Sequence, residues 1–264
     1  MMIPEAIKGF LVLLLIFVPL ERLFSHRQQS LWRRGWETDL MYFFTGNLIG
    51  KTSGLIIFLL VNNLLVQGNF PREITGFFGQ QSLVLQLISG IFLGEIGYYT
   101  AHRMLHQIPW LWRFHAIHHG AKELDWLVTV RVHPFDQVFT KIFQVFPLYL
   151  LGFSEGFFVV YTLFSATMAF FIHSNLGLNF RFLNYILVTP ELHRWHHSQN
   201  PETYHTNFAA QLACVDWFLG TWYLSKHRSP DVYGVNESVP IAYLKQLIYP
   251  WQNHQTLSQR RENS

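Results

Sequence analysis

SLVLQLISGIFLGEIGYYTAHRMLH, residues 82–106, is the stretch that decides how this chain folds. From Leu83 the segment is apolar, with Glu95 as its one acidic interruption, and it ends on two histidines four residues apart. A run of this length spans the roughly 30 Å of hydrocarbon in a bilayer. The spacing places His102 and His106 on one face of a helix, one turn apart, at the point where the helix leaves the apolar layer.

Working outward, the same signature recurs. Ile7 to Leu20 reads as a short first membrane helix, with no small-residue cleavage site after it. Asp39 to Val66 is long enough to cross, although Lys51 within it must snorkel or find a partner. Val138 to Ile172 is an apolar stretch of 35 residues, too long for one crossing, and Pro147 with the 152–156 break divides it into a helical hairpin. Beyond Ile172 no spanning run follows, and the sequence becomes mixed, aromatic and polar. The expected fold is all-α: a polytopic membrane bundle with a histidine-rich helical cap. Three regions are expected, namely N-terminal membrane helices and loops over 1–81, a catalytic region over 82–225, and a C-terminal extension over 226–264, whose tail from Gln252 frays.

Composition agrees with a membrane class, since half of the 264 residues are apolar, 17% are aromatic and only 13% are charged. The net charge is +3, and no basic stripe interleaves with aromatics, so nucleic acid is excluded as a partner. Arg22, Arg27, Arg33 and Arg34 lie between the first two helices, whereas the 67–81 loop holds only Arg72. By the positive-inside rule this orients the ends of the third helix and of the hairpin, with His102, His106 and His173, toward the cytoplasm. That places the chain in a bacterial inner membrane or the endoplasmic reticulum. Trp110, Trp112, Trp126, Trp195, Trp217, Trp222 and Trp251 are expected at the membrane–water interface.

Histidine carries the functional signal. Eleven of 14 histidines fall between His102 and His205, while Cys214 is the single cysteine. An intrachain disulfide and every multi-cysteine metal site are thereby excluded, so a metal here must sit on imidazoles and carboxylates. His115-Ala-Ile-His118-His119 and His193-Arg-Trp-His196-His197 repeat one pattern, in which three imidazoles are expected on one side of a helix. Thr189 and Pro190 read as the cap and first turn of the second of these helices. Such a cluster repels itself when protonated and leaves ring nitrogens without partners when neutral, and a metal resolves both. Imidazole suits zinc, copper, iron and nickel alike, and spacing does not choose among them. Eight histidines in these motifs exceed what one tetrahedral ion takes, so two metals are implied. No His-Glu-x-x-His motif is present, which removes the general base of a zinc protease.

The order H-x-x-x-H, H-x-x-H-H, H-x-x-H-H across membrane helices resembles the fatty acid hydroxylase superfamily, also called the sterol desaturase family. The likeness covers about Leu93 to Tyr223 and extends to Tyr98-Tyr99, Arg131-Val-His133-Pro134, His173-Ser-Asn175, Asn207-Phe208 and the 216–221 segment. It implies that His102, His106, His115, His118, His119, His193, His196 and His197 are ligands to two iron ions, with His173 as the ninth. It also implies a dioxygen-dependent enzyme that hydroxylates or desaturates a lipid C–H bond, where the lipid is a sterol, a fatty acyl chain or an ether lipid. Asn207-Phe208-Ala209 stands where many members have Asn-Tyr-Gly, a departure that bears on substrate.

Around that ligand set, Glu95, His133, His205 and Asn207 are expected in the surrounding shell or the pocket. Glu95 lies about 10 Å deeper than His102 by the helix rise, out of reach of the same metal, with Lys51 or a tyrosine as its ordinary partner. His133 precedes a proline and so belongs to an extended segment. His26, His227 and His254 read as surface residues. Without a dinucleotide motif or cysteines for a cluster, the chain needs an external electron donor, such as a ferredoxin, a cytochrome b5-like protein or a pterin. Two other functions fit parts of the pattern: a zinc-dependent membrane lipid hydrolase, and a metal transporter with ligands spread through several helices.

Overall fold

In the computed structural model, residues 4–68, 75–225 and 229–252 are described, so Arg72, His227, His254 and the tail beyond Gln252 lie outside them. Nine α-helices occur among the described residues: α1 (Glu5–Leu23), α2 (Trp36–Gln67), α3 (Leu83–Gln107), α4 (Pro109–His119), α5 (Pro134–Leu150), α6 (Glu155–His173), α7 (Pro190–His196), α8 (Ala213–Phe218) and α9 (Tyr243–Ile248). Short 3-10 turns join them, and the only extended pairings among these residues are two isolated bridges. The all-α expectation holds.

Three helices, α2, α3 and α6, are long and apolar enough to cross a membrane. The expected first span forms as α1, but it falls outside that set: its 19 residues include Glu5, Lys8, Glu21 and Arg22. The apolar stretch becomes the hairpin α5–α6. Pro147 sits in the last turn of α5, where it removes the hydrogen bond to the Phe143 carbonyl just before the helix ends, and Gly152 (φ +72°) turns the chain. Ser154 caps α6, accepting the Phe157 N–H.

Long helices pack here because one face of α3 lacks side chains. A Cβ on Gly94 would collide with the Tyr161 hydroxyl, and one on Gly97 with the Phe143 carbonyl, so α5 and α6 approach the α3 backbone directly. Lateral hydrogen bonds fix the ends. At one end Ser154 Oγ donates to Gln86 Oε1. At the other, the start of α2, the end of α3, the start of α5 and the end of α6 converge, and α4, α7 and α8 with their loops close over that end.

A buried ion-pair network sits under the cap. Arg33 reaches Asp125 and Asp39 at 2.6 Å, and Arg131 reaches Asp39 at 2.5 and 2.9 Å. Two guanidiniums thus face two carboxylates, which lets four charges be buried without a net excess. Of the tryptophans expected at the interface, Trp126 and Trp195 are buried, the first packed with Phe17 and Phe43 and the second against the Tyr223 ring.

Candidate metal centre

Nine histidines gather into two adjacent groups: His102, His106, His115, His119 and His196 in one, and His118, His173, His193 and His197 in the other. Within each group the ligand atoms all lie within 4.8 Å of one another. Every one of the nine ligand residues expected from sequence is therefore brought together, but the two H-x-x-H-H motifs do not behave as expected. Each splits. His115 and His119 join the first group while His118 turns to the second; His193 and His197 join the second while His196 turns to the first. At 3.6 residues per turn, positions i and i+4 are about 40° apart, whereas i+3 is about 100° from i+4. One short helix therefore serves two sites. The motifs on α4 and α7 do so reciprocally, and His119 stacks on His197 at 4.3 Å where the two sites meet.

Hydrogen bonding fixes which nitrogens face inward. His102 Nδ1 donates to the Phe208 carbonyl (2.7 Å), His196 Nδ1 to the Thr206 carbonyl (2.8 Å), His118 Nδ1 to the Arg131 carbonyl (3.2 Å) and His173 Nδ1 to the Ala169 carbonyl (2.8 Å). A carbonyl only accepts, so in these neutral rings Nδ1 holds the proton and Nε2 is a bare lone pair. Yet these lone pairs face each other: His102 and His196 Nε2 lie 3.1 Å apart, and His118 and His173 Nε2 lie 3.0 Å apart. No proton is left to sit between them, so the contact is repulsive unless a cation occupies the focus. His106 Nε2 is likewise buried without a partner among the described residues.

Spacing narrows the geometry. Ligand nitrogens about 2.1 Å from one ion are about 3.0 Å apart at a right angle and about 3.4 Å apart at a tetrahedral angle. Neighbouring Nε2 atoms here are 2.9–3.2 Å apart, and five imidazoles in one group exceed a tetrahedral shell. Both groups fit ions with more than four coordination positions. A fatty acid hydroxylase family model matches residues 87–221, a span that contains all nine histidines.

The chain belongs to the fatty acid hydroxylase family. Among curated relatives it is 34% identical to ornithine lipid hydroxylase OlsE of Rhizobium tropici over 172 residues, 65% of this chain and 52% of that protein. It is 32% identical to an alkylglycerol monooxygenase of Danio rerio over 164 residues (61% and 36%), and 30% identical to that of Homo sapiens over 149 residues (56% and 33%). The chain spans about half or less of the length of these relatives. No solved structure matches it.

A fatty acid hydroxylase fold here includes residues that sequence reading placed only loosely. Glu95 finds neither Lys51 nor a tyrosine. Its carboxylate accepts backbone N–H groups from Ala210 (2.7 Å), Gln211 (2.9 Å) and Leu212 (3.3 Å), while Asp216 accepts those of Phe208 and Ala209. Together the two carboxylates pin the 206–212 loop, which supplies the carbonyls that orient His102 and His196. Asn207 adopts a positive φ of 55° and bridges Leu192 on α7 to Tyr223 through its side-chain amide. His205 lines a cavity of about 390 Å³ together with His106, His119, His196, Tyr204 and Glu237, which opens the first group toward the polar side of the cap. His133 stands apart from both groups: Nδ1 accepts the Phe135 N–H and Nε2 donates to the Leu247 carbonyl, so it caps α5. His26 is half-buried rather than free on the surface, and burial with Arg194 and Arg27 nearby pulls its pKa to about 4.

Asp136 went unrecognised in the sequence. It accepts from His115 Nδ1 at 2.7 Å, the one carboxylate acceptor among the described ligand rings. Its position in the first turn after His133-Pro134 was the available signal. An anionic acceptor raises the basicity of its imidazole more than a carbonyl does, and losing one costs roughly 10–100-fold in metal affinity. Asp136→Asn is expected to weaken metal at the first group by that factor in a chelator competition; unchanged affinity would deny Asp136 this part.

Burial, reinforced by neighbouring imidazoles, holds His118, His119, His193 and His197 well below the ordinary 6.5, and burial takes His196 to about 3. In metal-free protein the unfolded rings gain protons below 6.5 while these folded rings do not. The unfolded state then binds more protons at these rings, so the stability they contribute falls as pH drops below that value and is constant above it. The thermal midpoint of chelator-treated protein, followed from about pH 8 to about pH 5, should show that break.

Proposed function

We propose that this chain is a membrane-bound, dioxygen-dependent lipid hydroxylase whose nine clustered histidines hold two iron ions. The observation that carries the reading is the set of bare Nε2 lone pairs held face to face in two buried groups. Imidazole-rich sites with more than four positions suit iron, and they leave room for an exchangeable ligand. When bound, iron would supply the one-electron chemistry that splits dioxygen, inserting one oxygen atom into a C–H bond and releasing the other as water. That balance needs two electrons and two protons from an external donor, a ferredoxin, a cytochrome b5-like protein or a pterin.

The protein's own residues do the rest. Glu95 and Asp216 fix the loop that aims His102 and His196; Arg131, braced by Asp39, aims His118; Asp136 anchors His115. Residues 82–225 form the catalytic region in this reading, with the described residues of 1–81 bracing it and those of 226–264 closing the cap. α2, α3 and α6, with the α5 hairpin arm, make a multi-pass bundle whose histidine end faces the cytoplasm, in keeping with the arginines between α1 and α2. A groove of about 690 Å³ between α2, α5 and α6, lined by Phe43, Gly50, Lys141 and Phe170, reaches Thr129. Thr129 shares the Ala169 carbonyl with His173, so a lipid chain in that groove would end beside the second group. The printed activities of the relatives, on ornithine lipid and on alkylglycerols, support a membrane lipid as substrate.

The test is paired. Protein purified from iron-supplied cells should carry about two iron ions per chain, the number implied by the two ligand sets. Lipid extracts of cells expressing it should contain a species heavier by one oxygen atom, and that atom should come from labelled dioxygen. Stoichiometric zinc with hydrolysis and no dioxygen uptake would defeat the proposal.

A further inference from the structure

A second cavity, of about 400 Å³, lies between α1, the start of α2 and Trp126. No histidine of either metal group lines it. Its character changes along its length. Phe10, Leu14 and Val18 form an apolar wall down α1, whereas Arg22, Arg27 and Gln28 rim it where α1 ends, at the histidine end of the bundle. From Phe10 to Arg22 is about 18 Å by the helix rise.

The charges at the rim are unequal in their commitments. Glu21 is occupied by the backbone N–H groups of Trp126 (2.8 Å) and Asn175 (2.9 Å), and Asp125 by Arg33. Arg22 donates only to the Gln29 carbonyl, and Arg27 to the Pro230 carbonyl while lying over the Tyr233 ring. Among the described residues neither guanidinium meets a carboxylate. Each has five N–H donors, so most of this capacity is not taken up by an acceptor among the described residues. Two arginines without acidic partners, above an apolar slot sized for a chain, complement a molecule with an anionic head and a hydrocarbon tail.

We propose that this cavity seats an anionic phospholipid, its phosphate on Arg22 and Arg27 and one acyl chain along Phe10, Leu14 and Val18. The polarity runs in the sense of a lipid in the leaflet at the histidine end, head at the rim and tail toward the bilayer centre. The site is separate from the oxidation chemistry, needing only that this end lies at a membrane surface. Its occupant would clamp α1 against the 126–130 turn, next to the Arg131 that aims His118.

Native mass spectrometry of the full chain in detergent, titrated with phosphatidylglycerol and with phosphatidylcholine of the same chains, tests it. The wild-type protein should retain phosphatidylglycerol about tenfold more strongly. Arg22→Gln should remove most of that preference while leaving phosphatidylcholine retention unchanged, and Leu14→Trp should reduce retention of both lipids by filling the slot. Inorganic phosphate should fail to displace the lipid; displacement by phosphate alone would overturn the acyl-chain half of the proposal. Equal retention of the two lipids by wild type, or full retention by Leu14→Trp with unaltered metal content, would overturn the site itself. Because metal content and dioxygen uptake are read separately, failure here is distinguishable from failure of the hydroxylase assignment.

Discussion

His118→Ala is expected to empty the second metal group and leave the first loaded, whereas His196→Ala, in the other motif, is expected to weaken the first and leave the second loaded. Both residues are the i+3 members of their H-x-x-H-H motifs, and both turn away from their own i, i+4 pair. His118 contributes one of four rings to its group, and its removal also leaves His173 Nε2 without the neighbour now 3.0 Å away. His196 contributes one of five, so the first group should retain residual affinity after its loss. Each substitution should lower the proposed dioxygen-dependent lipid oxidation by more than about 100-fold, because losing a direct ligand exceeds the effect of losing a residue that merely orients one. Metal counting and turnover, measured together, separate this from a general folding defect. Should both variants lose the same metal, the reciprocal division of the motifs would be wrong.

Asp39→Ala is expected to destabilise the protein by about 3–5 kcal/mol, the usual consequence of removing one partner from a buried ion pair. Asp39 is fully buried and is shared by Arg33 and Arg131. Without it Asp125 alone faces two buried guanidiniums, and Arg131 loses its only carboxylate among the described residues. The consequence reaches the site, since the Arg131 backbone carbonyl holds His118 Nδ1. A lowered thermal midpoint should therefore accompany weaker metal at the second group, with the first group less affected. Asp39→Asn, which keeps the shape and loses the charge, should fall between wild type and alanine. A variant with unchanged midpoint would show that the network is not a stabilising unit.

Much of this organisation was legible before the fold. Membrane-length apolar runs ending in histidines fixed the helices, their boundaries to within a few residues, and the end at which the site gathers. All nine histidines proposed as ligands lie in the two groups. Misreadings arose where the deciding partner is far away in sequence. Glu95 is expected in the shell around the metals with Lys51 or a tyrosine as its ordinary partner, and backbone amides more than a hundred residues later satisfy it instead. His133, expected in the shell around the metals or in the pocket, caps α5. α1 forms where its apolar run places it, with Glu5, Lys8, Glu21 and Arg22 at its ends.

What the sequence by itself determined is therefore local and periodic: which segments are helical, which histidines share a turn, and that imidazoles rather than thiolates must hold any metal. Tertiary structure alone decided how nine rings become two sites. Helical spacing separates i+3 from i+4 by about 100°, but it does not say what lies on either side. That answer comes from the Phe208, Thr206, Arg131 and Ala169 carbonyls, brought in from other segments, which fix the proton on Nδ1 and turn each Nε2 lone pair toward its focus.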